Sequence, residues 1–353
     1  MKNIFFSIFT TIILIVFIFS SLNFFFSGVP LFNVFKINIK QAIYISKNDQ
    51  LKKNYEITFD KGTKYYAEKC GASENGFYNM AYIPDDFGFR NNKKELFFNT
   101  DIIILGDSFG FSSCVNYPFD LTTRLKKKLN NEKILNISLS GSGPFYQKEI
   151  LKCMVSKNNT KFDTIVWLFY EGNDHEDLNK NFGKNVKCPD ESQKKTNNAE
   201  IEVVYKPHEN INLLKIKLFF SNYTRGFGTL LKYFRSYPKL VSKNESYIRV
   251  LEDMDKYLAS KKISKRIIYY IPKYTRLAHN KISHPQITQL DNLKKLVKTT
   301  AEKYNFIFVD GSQIFHSLKD PLEVFHYRLP THFNIKGYDI LANELKESLD
   351  YIK

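Results

Sequence analysis

Thr164–Tyr170 reads TIVWLFY, a run with no polar face. A strand of that kind is covered on both sides, as in parallel sheets flanked by helices. Similar runs recur at Ile102–Leu105, Ile134–Ile137, Arg266–Ile271 (RIIYYI) and Phe306–Val309. Helical patterns lie between them. Pro118–Asn130 sets Phe119, Leu121, Leu125 and Leu129 near helical spacing with Lys on the other face, and Phe145–Val155, Tyr247–Leu258, Ile287–Tyr304 and Lys336–Leu349 are read as helices. Strand and helix alternating through short links predict an α/β fold, a three-layer α/β/α sandwich around a mainly parallel sheet. The 353 residues suffice for one large domain of this type or two smaller ones.

The N-terminus obeys a different rule. Asn3 to Phe35 contains no charged residue, and Ile4–Phe26 as a helix is roughly 34 Å long, enough to cross a bilayer core. A cleaved signal peptide has a shorter apolar core and a small-x-small site, for which Ser27-Gly28 is a weak match. The sequence therefore predicts an uncleaved transmembrane anchor over 1–28, a connector of loops and short strands over 29–84, and the α/β domain over 85–353. Lys2 precedes the span and Lys36, Lys40 and Lys47 follow it, which mildly favours a cytoplasmic domain. That rule is weak for long translocated domains. The formal charge of +16 reflects Lys used throughout, so local charge says more about ligands than the total does.

Residues 175–245 break the alternation and read as an insertion over one end of the sheet. Within them Asn210–Lys243 carries Lys and Arg, no acid, and interleaved Phe and Tyr. This is a cap on a groove, a surface for anionic headgroups, a docking face, or a Lys-rich solvated face over buried aromatics. Behind a membrane anchor and without a recognised motif, nucleic acid is excluded as a partner. Cys70, Cys114, Cys153 and Cys188 fit no zinc spacing; they suit two disulfides in an oxidising space or four thiols.

Sites in open α/β sheets form at the carboxyl ends of strands. Here those ends carry Gly106-Asp107-Ser108, then Gly141-Ser142-Gly143, then Glu171-Gly172-Asn173-Asp174; Thr331-His332-Phe333-Asn334 stands before the last helix. A hydroxyl, a glycine that admits a backbone N–H, a side-chain amide and an imidazole make up the inventory for acyl transfer through a serine. Each alone is ordinary turn or cap chemistry; their order raises the joint reading.

In these blocks the chain resembles the SGNH, or GDSL-type, hydrolases, whose fold is flavodoxin-like, across roughly residues 85–353. The resemblance implies Ser108 as nucleophile, the N–H groups of Ser108 and Gly141 with the Asn173 amide as oxyanion hole, and His332 as base. CGASENGFYNMAYIPDDFGFRN, GDSFGFSSCV, WLFYEGND and HFNIKGY further resemble a bacterial envelope subgroup often associated with surface polysaccharide. That likeness implies a Cys70–Cys114 disulfide, with Cys153–Cys188 as a second, and turns the expected domain outward to the periplasm. One position departs from the family: the acid usually three residues before the histidine is Leu329 here. Asp310 and Glu323 are the candidates to orient His332 instead, beside a backbone carbonyl. The expected function is that of a membrane-anchored serine esterase or O-acyltransferase on acylated, in particular O-acetylated, envelope carbohydrate, with no metal or organic cofactor. The rivals are a non-catalytic envelope protein that binds glycan or a partner enzyme, and a lipid esterase at the membrane surface.

Overall fold

The computed structural model describes residues 98–178, 240–278, 285–326 and 331–352. It also describes Asp85, 87–91, Val186, Cys188, two short strands before them, and Phe9, Thr10, Thr11, Leu14 and Ile18 near the N-terminus. Strands β1 (Tyr66–Lys69) and β2 (Asn79–Tyr82) pair antiparallel. The main sheet has β3 (Ile102–Leu105), β4 (Ile134–Asn136), β5 (Thr164–Tyr170), β6 (Lys265–Ile271) and β7 (Ile307–Asp310), in the order β4-β3-β5-β6-β7, with every neighbouring pair parallel. The helices are α1 (Leu121–Leu129), α2 (Pro144–Asn158), α3 (Asp174–Asp177), α4 (Leu240–Ser260), α5 (Tyr274–Ala278), α6 (Pro285–Lys303), α7 (Ser312–Ser317) and α8 (Ile335–Tyr351), with a 3₁₀ turn at Pro321–Val324.

The strands sort their side chains by alternation. Ile103, Leu105, Ile165, Trp167, Phe169, Ile268 and Tyr270 pack with α2, α4 and α6 on one face. Ile102, Ile104, Val166, Leu168, Ile267, Tyr269 and Ile271 pack with α1 and α8 on the other. Both faces are covered, so the expected three layers are present. The regular elements agree with the sequence reading to within a few residues at their ends, apart from α4, which starts seven residues earlier, at Leu240. The short helices α3, α5 and α7 were not expected; each is six residues or fewer, too short to show a helical period.

The strand order decides where a site can form. The chain leaves β3, crosses to β4 on one side, and returns past β3 to β5 on the other. That reversal opens a crevice at the carboxyl end of β3. Gly106 lets β3 lie close against β5 there: a Cβ on it would stand 3.1 Å from Leu168 Cβ and 3.2 Å from Leu168 O.

Most of the predicted anchor lies outside the described residues. Within it Phe9, Thr10, Thr11, Leu14 and Ile18 are helical and exposed. Among the described residues no helix is long and apolar enough to cross a membrane. Most of the connector 29–84 and residues 189–239 of the insertion also lie outside. Cys153 on α2 is joined to Cys188, as expected, with Cα atoms 5.8 Å apart, within the ordinary disulfide range. The bond ties the start of the insertion to α2.

The loop after β5 is held by a buried ion pair. Glu171 accepts from Arg276 Nε at 2.8 and 3.0 Å and from Arg276 Nη2 at 2.5 Å. It also takes the Tyr270 hydroxyl at 2.7 Å and Lys273 N–H at 2.9 Å, while Arg276 Nη1 reaches Asp291 at 2.6 Å. Both side chains are buried, so removing Glu171 leaves the buried Arg276 with only the exposed Asp291 as its charge partner. Glu171→Ala is expected to destabilise the fold by about 3–5 kcal/mol, read from urea or thermal unfolding.

Candidate active site

After β3 the chain turns sharply. Phe111 N–H bonds to Asp107 O at 2.9 Å, Ser112 N–H to Phe109 O at 3.1 Å and Ser113 N–H to Ser108 O at 2.9 Å. Asp107 caps this turn, its Oδ1 accepting Phe109 N–H at 2.8 Å. The turn puts Ser108 at the mouth of the crevice. Its Oγ lies 2.9 Å from His332 Nε2 and 3.3 Å from Asp107 Oδ2.

His332 is brought there by the start of α8. Asn334 caps that helix, accepting from Lys336 N–H at 3.0 Å and Gly337 N–H at 3.1 Å. Its amide donates to Glu323 O at 2.8 Å, and its own N–H to Val324 O at 2.8 Å. Gly337 is needed for this approach, because a Cβ on it would stand 2.7 Å from Val324 O. Phe333 is fully buried and its ring meets those of Phe109, Phe315, Phe325 and Tyr338. The imidazole lies beside Phe109, ring centroids 5.2 Å apart. HFNIKGY therefore encodes two anchors directly after the histidine, the buried Phe333 ring and the Asn334 cap.

Gly141 lies in an exposed turn with φ +74°, a left-handed conformation that favours glycine; a Cβ there would meet nothing within 4 Å. Two bonds tie this turn to the end of β3: Leu139 N–H to Gly106 O at 3.0 Å and Ser142 Oγ to the same carbonyl at 3.3 Å. Among the described residues no acceptor is bound to Ser108 N–H or Gly141 N–H. Asn173 follows β5 and donates from Nδ2 to Asp177 Oδ2 at 2.8 Å, which leaves its second amide hydrogen. Among the described residues, the buried Asn173 Oδ1 has no hydrogen-bond partner.

The two acids expected to orient His332 are engaged elsewhere. Asp310 accepts from Lys294 at 3.0 Å and from Ser312 Oγ at 2.6 Å. It ends β7, three strand spacings from β3, roughly 14 Å at about 4.8 Å each. Glu323 pairs with Lys336 at 2.5 Å. On the Nδ1 side of His332 stands the sulfur of Cys114, at 3.8 Å. Cys70 lies outside the described residues, and with it the expected Cys70–Cys114 bond.

Two features were missed by sequence reasoning. One is a knot built by Arg90 and Asn91. Arg90 is buried and donates to Phe111 O at 3.3 Å, Ser112 O at 2.7 Å and Val115 O at 2.9 Å. Asn91 exchanges bonds with Asn136 at 2.8 and 2.9 Å, joining the knot to β4. The sequence offers little signal for it, since the Arg90 bonds all go to backbone carbonyls. The other is an acidic cluster below Ser108, formed by Asp107, Asp174 and Asp177, all buried.

Burial pushes the Asp107 carboxyl up to about 6, against the opposing pull of Phe109 N–H and the charge of His332. Burial and then the charge of Asp107 raise Asp174 well above the carboxylate range. A raised acid binds its proton more tightly in the folded chain, so its ionisation costs stability as pH rises from about 4 through 6. Asp107→Asn keeps the cap to Phe109 N–H and removes that cost. The variant is expected to be more stable than the parent at pH 8 by about 3 kcal/mol, with the gap closing towards pH 4, measured as paired unfolding curves.

No family model matches the chain, and no curated protein matches it. Solved structures do. A lipase/acylhydrolase from Enterococcus faecalis is 14% identical, with 71% of this chain and 95% of that one covered and a TM-score of 0.40. A GDSL-like lipase from Bacteroides thetaiotaomicron VPI-5482 is 9% identical, covering 74% and 93%, at 0.38. Axe2, an acetylxylan esterase from Geobacillus stearothermophilus, is 14% identical, covering 71% and 94%, at 0.39.

Proposed function

We propose that the chain is a membrane-anchored SGNH-type serine esterase or O-acyltransferase, acting on ester groups of envelope carbohydrate, in particular O-acetyl groups. The observation that carries the reading is Ser108 Oγ at 2.9 Å from His332 Nε2, at the crevice where the strand order reverses. That distance lets the imidazole accept the hydroxyl proton as Oγ attacks an acyl carbon. The carbonyl oxygen gains the charge, and the N–H groups of Ser108 and Gly141 with the remaining Asn173 hydrogen are the donors for it. The protonated His332 then gives its proton to the departing sugar oxygen, leaving acyl-Ser108. A second hydroxyl, deprotonated by His332, releases the acyl group. Water as that acceptor makes the protein an esterase; a sugar hydroxyl makes it a transferase.

Support for the anchor is the uncharged stretch Asn3–Phe35, within which Phe9, Leu14 and Ile18 are helical and exposed. A translocated, periplasmic domain suits the Cys153–Cys188 bond, since such bonds persist in oxidising compartments. The envelope polysaccharide machinery is the partner this location implies.

A fluorophosphonate probe labels activated serines. The detergent-solubilised protein is expected to be labelled, while Ser108→Ala and His332→Ala are not, with ester turnover falling about 10⁴-fold or more in each. Folded parent protein that takes no label would favour the non-catalytic role, binding glycan or a partner enzyme.

A further inference from the structure

We propose that Cys114 is the positioning residue for His332, its sulfur accepting the Nδ1–H bond that a carboxylate supplies in many serine hydrolases. The inference rests on the catalytic reading of Ser108 and His332. For Ser108 Oγ–H to donate to Nε2, that nitrogen must be unprotonated, so the neutral ring carries its hydrogen on Nδ1. A partner for that hydrogen selects the tautomer and fixes the ring plane. Cys114 Sγ stands 3.8 Å from Nδ1, within the reach of a hydrogen bond to sulfur.

The loop is built to hold the sulfur there. Cys114 is buried, with φ +68°, a conformation that side chains other than glycine rarely adopt. Ser112, two residues earlier, is also left-handed, at φ +60°. The three Arg90 bonds to the carbonyls of Phe111, Ser112 and Val115 bracket Cys114, and Ser112 Oγ accepts Leu121 N–H at 2.9 Å from the start of α1. A strained backbone held by a buried arginine beside an imidazole is a constraint spent on one atom's position. Among the described residues, Ser108, Cys114, the ring of Phe109 and the charged group Asp107 lie around His332.

Sulfur is a weak acceptor, and its role is accordingly smaller than that of a carboxylate. In full-length protein in detergent, Cys114→Ala is expected to lower kcat for an activated acetyl ester on the order of tenfold with KM little changed, short of the ~10⁴ lost when a triad carboxylate is neutralised. Cys114→Asp is the gain-of-function arm, since Asp tolerates the left-handed backbone. It should restore or exceed the parent kcat and move the acid limb of the pH profile upward by about one unit, because a carboxylate stabilises the imidazolium. Cys70→Ser, which leaves the sulfur at 114 in place, should keep the parent kcat and acid limb. NMR titration of histidine-labelled protein, with His332 assigned by its loss in His332→Gln, reads the same shift in Cys114→Asp without needing turnover. The proposal is overturned if Cys114→Ala keeps the parent kcat, if Cys70→Ser falls with it, or if Cys114→Asp leaves the His332 titration unmoved. Parent protein with no ester turnover would instead overturn the catalytic reading, and the titration would still decide whether residue 114 faces His332.

Discussion

The carboxyl end of β3 is where a fully buried strand must release polar groups into a crevice, and the site follows from how those groups are satisfied. Leu105 is buried between two helix layers, and three residues later Ser108 must present a hydroxyl. Asp107 makes the change by turning inward to cap its own turn, which costs it an ordinary carboxyl pKa. Gly106 makes it by letting β5 lie close enough for the two strand ends to share one crevice. The neighbouring Gly141 turn is tied back to the Gly106 carbonyl, so the second strand end moves with the first.

His332 reaches this edge from more than two hundred residues away, and packing brings it there. Phe333 fills the core under α8 while Asn334 caps the helix, so the residue before them has little freedom. The loop carrying Cys114 is tied down from the opposite side by Arg90. The serine and the sulfur thus share the turn after β3, held by Arg90, while the imidazole arrives on a second segment with its own buried anchors. Such independent support is what keeps a site within the tolerance that proton transfer needs.

Much of this was legible in the sequence because it is local. TIVWLFY announces a doubly covered strand, and a polar residue ending such a run announces a strand end at the site. That rule singled out Ser108, Gly141 and Asn173, the place before the last helix singled out His332, and the Cys153–Cys188 pair was expected from resemblance. Strand order was not legible, which is why Asp310 looked like a partner for His332: the sequence shows that β7 ends in an acid, not that it lies three strands from β3. Nor does anything local show that Lys336 takes Glu323. The contact of Cys114 with His332 spans 218 residues and has no pattern of its own. Arg90 was quoted within a motif, but its bonds go to backbone carbonyls, which any sequence supplies.

The central claim is that Ser108 carries the acyl group between two oxygens. It is tested most directly by mixing the protein with an activated acetyl ester, quenching in acid during turnover, and mapping the acetylated peptide by mass spectrometry. The account predicts acetyl on Ser108 and none in Ser108→Ala. Turnover with the acetyl group on another residue, or on none, would contradict it.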